Sequence, residues 1–187
     1  MQIGEFAALS SDQVSQAARI LRQVIAGPSY KAPGEAEAEA QSFLGGDADR
    51  FALAATDGRT VLGWIGAVKG YPSSLELHPL VVDPPRHGQG VGRALVHALE
   101  TRAVALGYLA IHLGTDDEVG GTSLFGADLF PDPLGKLAAI FATPVGHPFF
   151  FYRKLGFEPA GLIPDANGFG KPDILMSKRI GRPQARS

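Results

Sequence analysis

The sequence predicts a mixed α/β domain: antiparallel strands towards the N-terminus, a central parallel pair, and flanking helices. Three observations carry that expectation. Phe51-Ala52-Leu53-Ala54-Ala55 and the run Val61 to Val68 flank an Asp57-Gly58 turn, the pattern of an antiparallel hairpin. The apolar run Glu76 to Val82 leads through a glycine loop into an amphipathic stretch, and then into a second apolar run, Leu109-Ala110-Ile111-His112-Leu113. A strand, helix, strand unit crosses over so that its two strands lie parallel. Finally, 187 residues that are 45% hydrophobic and 19% charged suit one sizeable core. A single domain over residues 1–180 is expected, followed by a disordered tail, 181–187.

The elements follow in order. Residues 2–9 read as a first strand, and Ser10-Ser11-Asp12 supply capping side chains for a helix carrying Val14, Ala17, Ile20, Leu21 and Val24. Gly27-Pro28 ends it. Between Lys31 and Gly45, Glu35, Glu37 and Glu39 alternate with alanine, which favours helix. Its acidic face is read either as simply solvated or as the wall of a site for a cation. Gly45-Gly46-Asp47 breaks this helix ahead of the hairpin, and Tyr71-Pro72-Ser73-Ser74 leads into the strand Glu76 to Val82. Pro79 cannot donate a ladder hydrogen bond, so it marks a disturbance in that strand.

The helix after the glycine loop places Val91, Leu95, Ala98 and Leu99, with Ala94 beside them, on one stripe. Gly107 stops it. From Gly114 to Gly146 the chain is long, acidic and rich in glycine and proline, with one helix near Leu134 to Phe141. Long segments at a strand end often carry sites. Pro148 to Leu155 reads as a short helix, Phe157 to Ile163 as a strand, Asp165-Ala166-Asn167-Gly168 as a turn, and Ile174 to Ile180 as a last strand.

Composition excludes several classes of function. A net charge of -2 gives no electrostatic reason to expect nucleic acid or an anionic membrane as partner. No run approaches the roughly eighteen apolar residues of a membrane span. The absence of cysteine rules out thiol chemistry and suits the cytoplasm, and Met1 to Phe6 lacks a basic segment followed by an apolar one, so no secretory signal is expected. The five histidines show no metal-ligand spacing, and no Gly-x-Ser-x-Gly nucleophile motif occurs.

What remains is the loop His87-Gly88-Gln89-Gly90-Val91-Gly92 followed by Arg93. Glycines at a helix start let backbone N–H groups approach a phosphate, and the helix dipole favours its charge. Alone, such a triplet is equally read as a tight turn. Neither a Gly-Lys-Ser/Thr ending nor the dinucleotide spacing is present. Following Val82-Asp83-Pro84, the loop resembles the pyrophosphate loop of the GNAT superfamily of N-acetyltransferases, with His87 where that family usually has Gln or Arg. Further stretches stand in one order: Glu76-Leu77-His78-Pro79-Leu80-Val81-Val82, Leu113 to Asp117, Gly121-Thr122, His147-Pro148, Phe151-Tyr152 with Lys154-Leu155-Gly156, Ala166-Asn167-Gly168 and Lys171 to Ile174. This series resembles the aminoglycoside 6'-N-acetyltransferases, especially the dimeric kind.

The resemblance implies a GNAT-like mixed sheet whose central parallel pair splays where acetyl-CoA binds. It implies acetyl-CoA held by Leu80, Val81, Val82, His87, Gly88, Gln89, Gly90, Val91, Gly92, Arg93 and Tyr152, with no metal. Acyl transfer needs a stabilised carbonyl oxygen, a protonated leaving sulfur and a deprotonated amine. The implied catalytic groups are the Leu80 backbone N–H near the thioester carbonyl, Tyr152 at the sulfur, and Glu76 and His78, which share a face if their strand is regular. A cationic aminoglycoside would meet Tyr71, Glu76, Asp116, Asp117 and Asp173. On the residues alone, Tyr152 is also read as a half-buried anchor, His78 as a structural histidine, and Asp116 and Asp117 as capping or solvated turn residues. Two classes of function stand: an acetyltransferase acting on an aminoglycoside or another small amine, and a CoA-binding module without turnover. A homodimer is expected from the resemblance and from the last strand as a free edge or exchanged element.

Overall fold

The computed structural model describes residues 1–25, 30–45 and 48–182. The expected stops at Gly27-Pro28 and Gly46-Asp47, and the tail from residue 183, lie outside the described residues. Among these residues the strands are β1 (Gln2–Glu5), β2 (Arg50–Asp57), β3 (Thr60–Tyr71), β4 (Ser74–Val82), β5 (Ala110–Asp116), β6 (Glu158–Ile163) and β7 (Asp173–Arg179). The helices are α1 (Ser11–Val24), α2 (Glu35–Ser42), α3 (Val91–Ala105), α4 (Pro133–Ala138) and α5 (Pro148–Lys154). The strands form a mixed sheet in the order β1-β2-β3-β4-β5-β7-β6, antiparallel except for the parallel pair β4 and β5. The chain clusters into two compact units, Met1–Ile111 with residues 180–182, and His112–Arg179.

In the first unit, β1 ends at Glu5, short of the expected residue 9, because Phe6–Ala8 turns as a 3-10 helix and buries Phe6. A capping box starts α1. The Gln13 amide donates to Ser10 Oγ at 3.3 Å, and the Ser10 amide donates to Gln13 Oε1 at 3.0 Å. Trp64 on β3 is fully buried, its ring 4.9 Å from Phe6 and 5.6 Å from Phe43, and its indole N–H donates to the Ala17 carbonyl at 3.1 Å. Truncating such a side chain to alanine typically costs about 3–5 kcal/mol.

β2 is covered on both faces. Ala52 and Ala54 join α1 and α2 in one cluster, while Phe51 turns the other way, under the Arg102 guanidinium of α3. The stripe of α3 is Val91, Leu95, Val96, Leu99 and Ala103 rather than the expected Ala94 and Ala98, which are half-buried. Gly107 ends α3 at φ +86°, as expected. α2 starts only at Glu35, after Gly34 at φ +87°.

The disturbance expected at Pro79 is present. Ile65 pairs with Leu80 but Ala67 with Leu77, so β4 carries one extra residue opposite Gly66. Gly66 is obligatory there, because a Cβ would stand 2.3 Å from the His78 carbonyl oxygen and 2.7 Å from the Phe43 ring. At their starts, β4 and β5 are tied by the amides of Leu109 and Ala110, which donate to the Ser73 carbonyl at 2.9 and 3.3 Å.

In the second unit, β6 pairs antiparallel with β7. The last strand is not a free edge: β7 lies between β5 and β6, and β6 is the outer strand. That overturns the edge-strand argument for a dimer, since β7 has a neighbour on each side. The expected helix near Leu134 to Phe141 is confined to α4, whose start is capped by Asp132 Oδ1 accepting from the Gly135 amide at 3.0 Å.

Candidate functional site

The glycine loop lies in the first unit. After β4, a 3-10 turn at Pro84–Arg86 leads to Gly88 at φ +74° and Gly90 at φ +82°, conformations that residues with a Cβ rarely adopt. A Cβ at either glycine would meet nothing within 4 Å, so the space in front of both is open. Gly90 is the N-cap of α3, which places the amides of Val91, Gly92 and Arg93 in the first turn without intrahelical acceptors. The His87 ring is exposed but tied back to the end of β4. Its Nε2 donates to the Val82 carbonyl at 2.8 Å, and Gln89 Nε2 donates to the Pro85 carbonyl at 2.9 Å. These two side chains brace the loop, while its open surface is backbone.

On β4, Leu75, Leu77, Pro79 and Val81 are buried, Glu76 and Leu80 are half-buried, and His78 is exposed. Glu76 precedes the bulge, whereas His78 stands in it with Pro79, opposite Gly66, and faces one side of the strand. That side meets α2: His78 Nε2 is hydrogen-bonded to the Tyr30 hydroxyl at 2.9 Å and lies 3.8 Å from Glu39 Oε1. Glu39 in turn accepts from Arg50 Nη2 at 3.0 Å. Burial raises the Tyr30 hydroxyl pKa, the Glu39 charge adds to that rise, and Arg50 opposes it. The bulge then reverses the parity of the strand, so that Val81 joins the α1 and α2 cluster. Each acidic residue of α2 has a partner. Glu35 accepts from the Ala32 amide, Glu37 pairs with Arg22, and Glu39 pairs with Arg50. Glu76 differs: among the described residues no cation or donor is paired with it. Tyr71 is exposed at the tip of the β3–β4 hairpin, where it pairs with Ser74.

In the second unit, β5 ends at Asp116, whose exposed carboxylate accepts from Asn167 Nδ2 in the turn before β7. Asp117 behaves differently from its neighbour and corrects the expectation that it meets a substrate. It is fully buried, and its carboxylate accepts from the amides of Gly120 at 2.9 Å, Gly121 at 2.9 Å and Thr122 at 2.7 Å. Burial pushes its carboxyl pKa up, but the hydrogen bonds from Thr122 and Gly121 outweigh that, and the net direction is down. Asp173 opens β7 against Gly114, where a Cβ would stand 2.8 Å from each carboxylate oxygen. Tyr152 is buried on α5 between Phe151 and Phe157, its ring centroid 5.2 and 5.5 Å from theirs, and desolvation pushes its hydroxyl pKa well up. Among the described residues no group of His, Cys, Asp or Glu gathers as a metal site.

Residues 19–121 match the family described as Acetyltransferase (GNAT) family. A crystal structure of an aminoglycoside 6'-N-acetyltransferase complexed with coenzyme A is 38% identical, with TM-score 0.89, over 98% of this chain and all of that one. The chain belongs to the GNAT family of acetyltransferases. The aminoglycoside 6'-N-acetyltransferase from Enterococcus faecium is also 38% identical, with TM-score 0.86 and the same coverage. An aminoglycoside 6'-acetyltransferase of type Ii is 33% identical over the same extents, with TM-score 0.72. A comparison with curated proteins finds no match.

Several polar partners in this acetyltransferase were not assigned a role by sequence reasoning. Tyr30 and Glu39 around His78 are separated from it by 48 and 39 positions, so no local pattern joins them. Asn167 and His147 stood in the motif series, yet nothing in their spacing indicates that both reach Asp116, 51 and 31 positions away. His147 alone carried a local hint, since a polar residue before proline at a helix start is an N-cap pattern.

Proposed function

We propose that this acetyltransferase moves the acetyl group of acetyl-CoA to a primary amine, the 6'-amine of an aminoglycoside. The observation that carries the substrate class is the similarity, over nearly the whole of both chains, to enzymes of that activity. The residues present fit acetyl-CoA: two left-handed glycines with open space before them, followed by first-turn amides without intrahelical acceptors, suit a pyrophosphate. Acetyl-CoA supplies an acetyl group activated as a thioester. The backbone amides from Gly88 to Arg93 hold its phosphates, with Val81 and Val82 bordering the chain that leads to the thioester. The Leu80 N–H, next to the bulge, donates to the carbonyl oxygen.

Glu76, half-buried and with no partner cation among the described residues, receives the substrate ammonium and its proton. His78, held by Tyr30 and Glu39, stands in the bulge of β4 as a second polar contact. Tyr152 donates a hydrogen bond to the departing sulfur, and its raised pKa keeps that donor protonated at any ordinary pH. Asp116 and Asp173 complement a polycation, and Tyr71 offers an aromatic face to it. The enzyme is proposed to act in the cytoplasm, without metal, membrane or nucleic acid, and to confer aminoglycoside resistance where it is expressed. A homodimer is also proposed. Phe130, Leu134, Phe141, Val145 and Phe169, each more than half exposed, are the apolar side chains a second copy would cover. Sedimentation at the mass of one chain at micromolar concentration would remove the dimer.

The deciding experiment is release of free thiol from acetyl-CoA with kanamycin, with a neutral primary amine, and with no acceptor. Thiol release should require kanamycin. Glu76→Gln should lower kcat/KM for it by at least about tenfold, roughly 1.4 kcal/mol, with acetyl-CoA affinity unchanged. Equal turnover of the neutral amine would leave only a general N-acetyltransferase. No turnover with any amine, despite acetyl-CoA binding, would leave a binding module.

A further inference from the structure

His147 is nearly buried, 9% exposed, and each of its ring nitrogens has a backbone partner. Nε2 donates to the Asp116 carbonyl at 2.9 Å, and Nδ1 accepts from the Phe149 amide at 3.2 Å. A carbonyl can only accept and an amide N–H can only donate, so the pair of contacts selects the neutral imidazole with its proton on Nε2. One contact reaches the end of β5, where Asp116 stands. The other is the N-cap of α5, the helix that carries Tyr152 five residues further on. The wall behind the ring is stiff. Gly121 packs so closely that a Cβ there would lie 2.3 Å from the Gly146 carbonyl oxygen and 2.9 Å from His147 Cβ. The same loop is held by the Asp117 carboxylate, and Thr143 Oγ1 donates to the Gly120 carbonyl at 2.6 Å.

We propose that His147 is a positioning residue for acetyl transfer: by joining the Asp116 carbonyl to the first turn of α5, it fixes where the Tyr152 hydroxyl stands. The proposal rests on the reading of Tyr152 as donor to the leaving sulfur. A catalytic group must be held within about 0.5 Å of its productive place, and the seven residues of α5 are too few to hold themselves. An ordinary N-cap would need only one hydrogen bond. The second, to the strand that bears a proposed substrate carboxylate, is what sets the helix against the site.

The test separates the two ring contacts. His147→Asn keeps an acceptor for the Phe149 amide, since asparagine is a good N-cap, but is too short to reach the Asp116 carbonyl. His147→Gln supplies an N–H at about the reach of Nε2 and caps poorly. With acetyl-CoA and kanamycin, His147→Asn is expected to lower kcat by at least about tenfold while both KM values stay within about threefold. His147→Gln should recover most of kcat despite its weaker cap. Tyr152→Phe should lower kcat alone, and adding His147→Asn to it should lower kcat by less than about twofold more, because residues acting through one group are not additive. Histidine ¹⁵N NMR of the unmutated enzyme, which needs no variant to fold, should show the Nε2–H tautomer at His147. Wild-type kcat in His147→Asn, a full multiplicative loss in the Tyr152→Phe background, or the Nδ1–H tautomer would each overturn the proposal. An unchanged kcat in Tyr152→Phe would instead bring down the reading of Tyr152, and this inference with it.

Discussion

Two loops of this enzyme each follow the C-terminal end of a parallel strand, and they are built in opposite ways. After β4, the glycine loop turns its own amides outward and uses side chains only as braces, with His87 bound back to the Val82 carbonyl and Gln89 to the Pro85 carbonyl. After β5, the loop from Asp117 to Thr122 turns its amides inward onto a buried carboxylate. The first leaves donors available for an anion and so suits a ligand whose charge is negative. The second satisfies its donors internally, and what it leaves outward is the Asp116 carboxylate, suited to a cation. Adjacent aspartates thus divide the work: one builds the loop and the other faces outward.

The largest effect expected from breaking this contrast is at Asp117. Asp117→Asn removes the charge and part of the acceptor capacity under three buried or half-buried amides. It should lower unfolding stability by about 2–4 kcal/mol, read by urea denaturation. The pH dependence has a defined sign. Because the folded carboxyl lies below its ordinary value of 3.8, the stabilisation from its ionised form is fully present above that value and is lost as pH falls through the folded one. The stability gap between wild type and Asp117→Asn should therefore hold steady above about pH 5 and narrow below about pH 4. A gap that widened on acidification would contradict the assignment.

A smaller effect is expected at the glycine loop, and it should appear in binding rather than stability. Gly90→Val forces a β-branched residue into φ +82° and fills the space before the loop. Acetyl-CoA affinity by calorimetry should fall at least about tenfold, about 1.4 kcal/mol, while the far-UV spectrum persists. His87→Ala removes only a brace and should change affinity by less than about threefold. If His87→Ala proved as damaging as Gly90→Val, the loop would be reading phosphate with a side chain, and the contrast between the two loops would fail.

The first loop was readable in the sequence and the second was not, for a physical reason. Positive φ, a strand end and a helix start are local properties, and Gly88, Gly90 and the stripe led by Val91, Leu95 and Leu99 announce them within about a dozen residues. The disturbance at Pro79 was legible in the same way, because the missing N–H belongs to that residue. Asp117 looked like Asp116. What separates them is the fold of residues 120–122 and 146–147 over Asp117, which no pattern near it describes. The exchange of Ala98 for Val96 on the buried face of α3 has a similar origin, since a helix stripe is broad and its neighbours decide which edge of it is covered. The position of β7 inside the sheet is wholly long-range: an apolar strand near the chain end reads alike at an edge or between two partners.

By itself, then, the sequence determined most of the elements, the glycine loop at the start of α3 and the family to which the chain belongs. Those depend on residue types at short spacing and on motifs kept in one order. Tertiary structure decided which polar groups are available. It surrounded His78 with Tyr30 and Glu39, gave His147 two backbone partners, buried Asp117 and gave Glu76 no partner among the described residues. How much of a charged or polar side chain the fold has already satisfied is decided by residues tens of positions away.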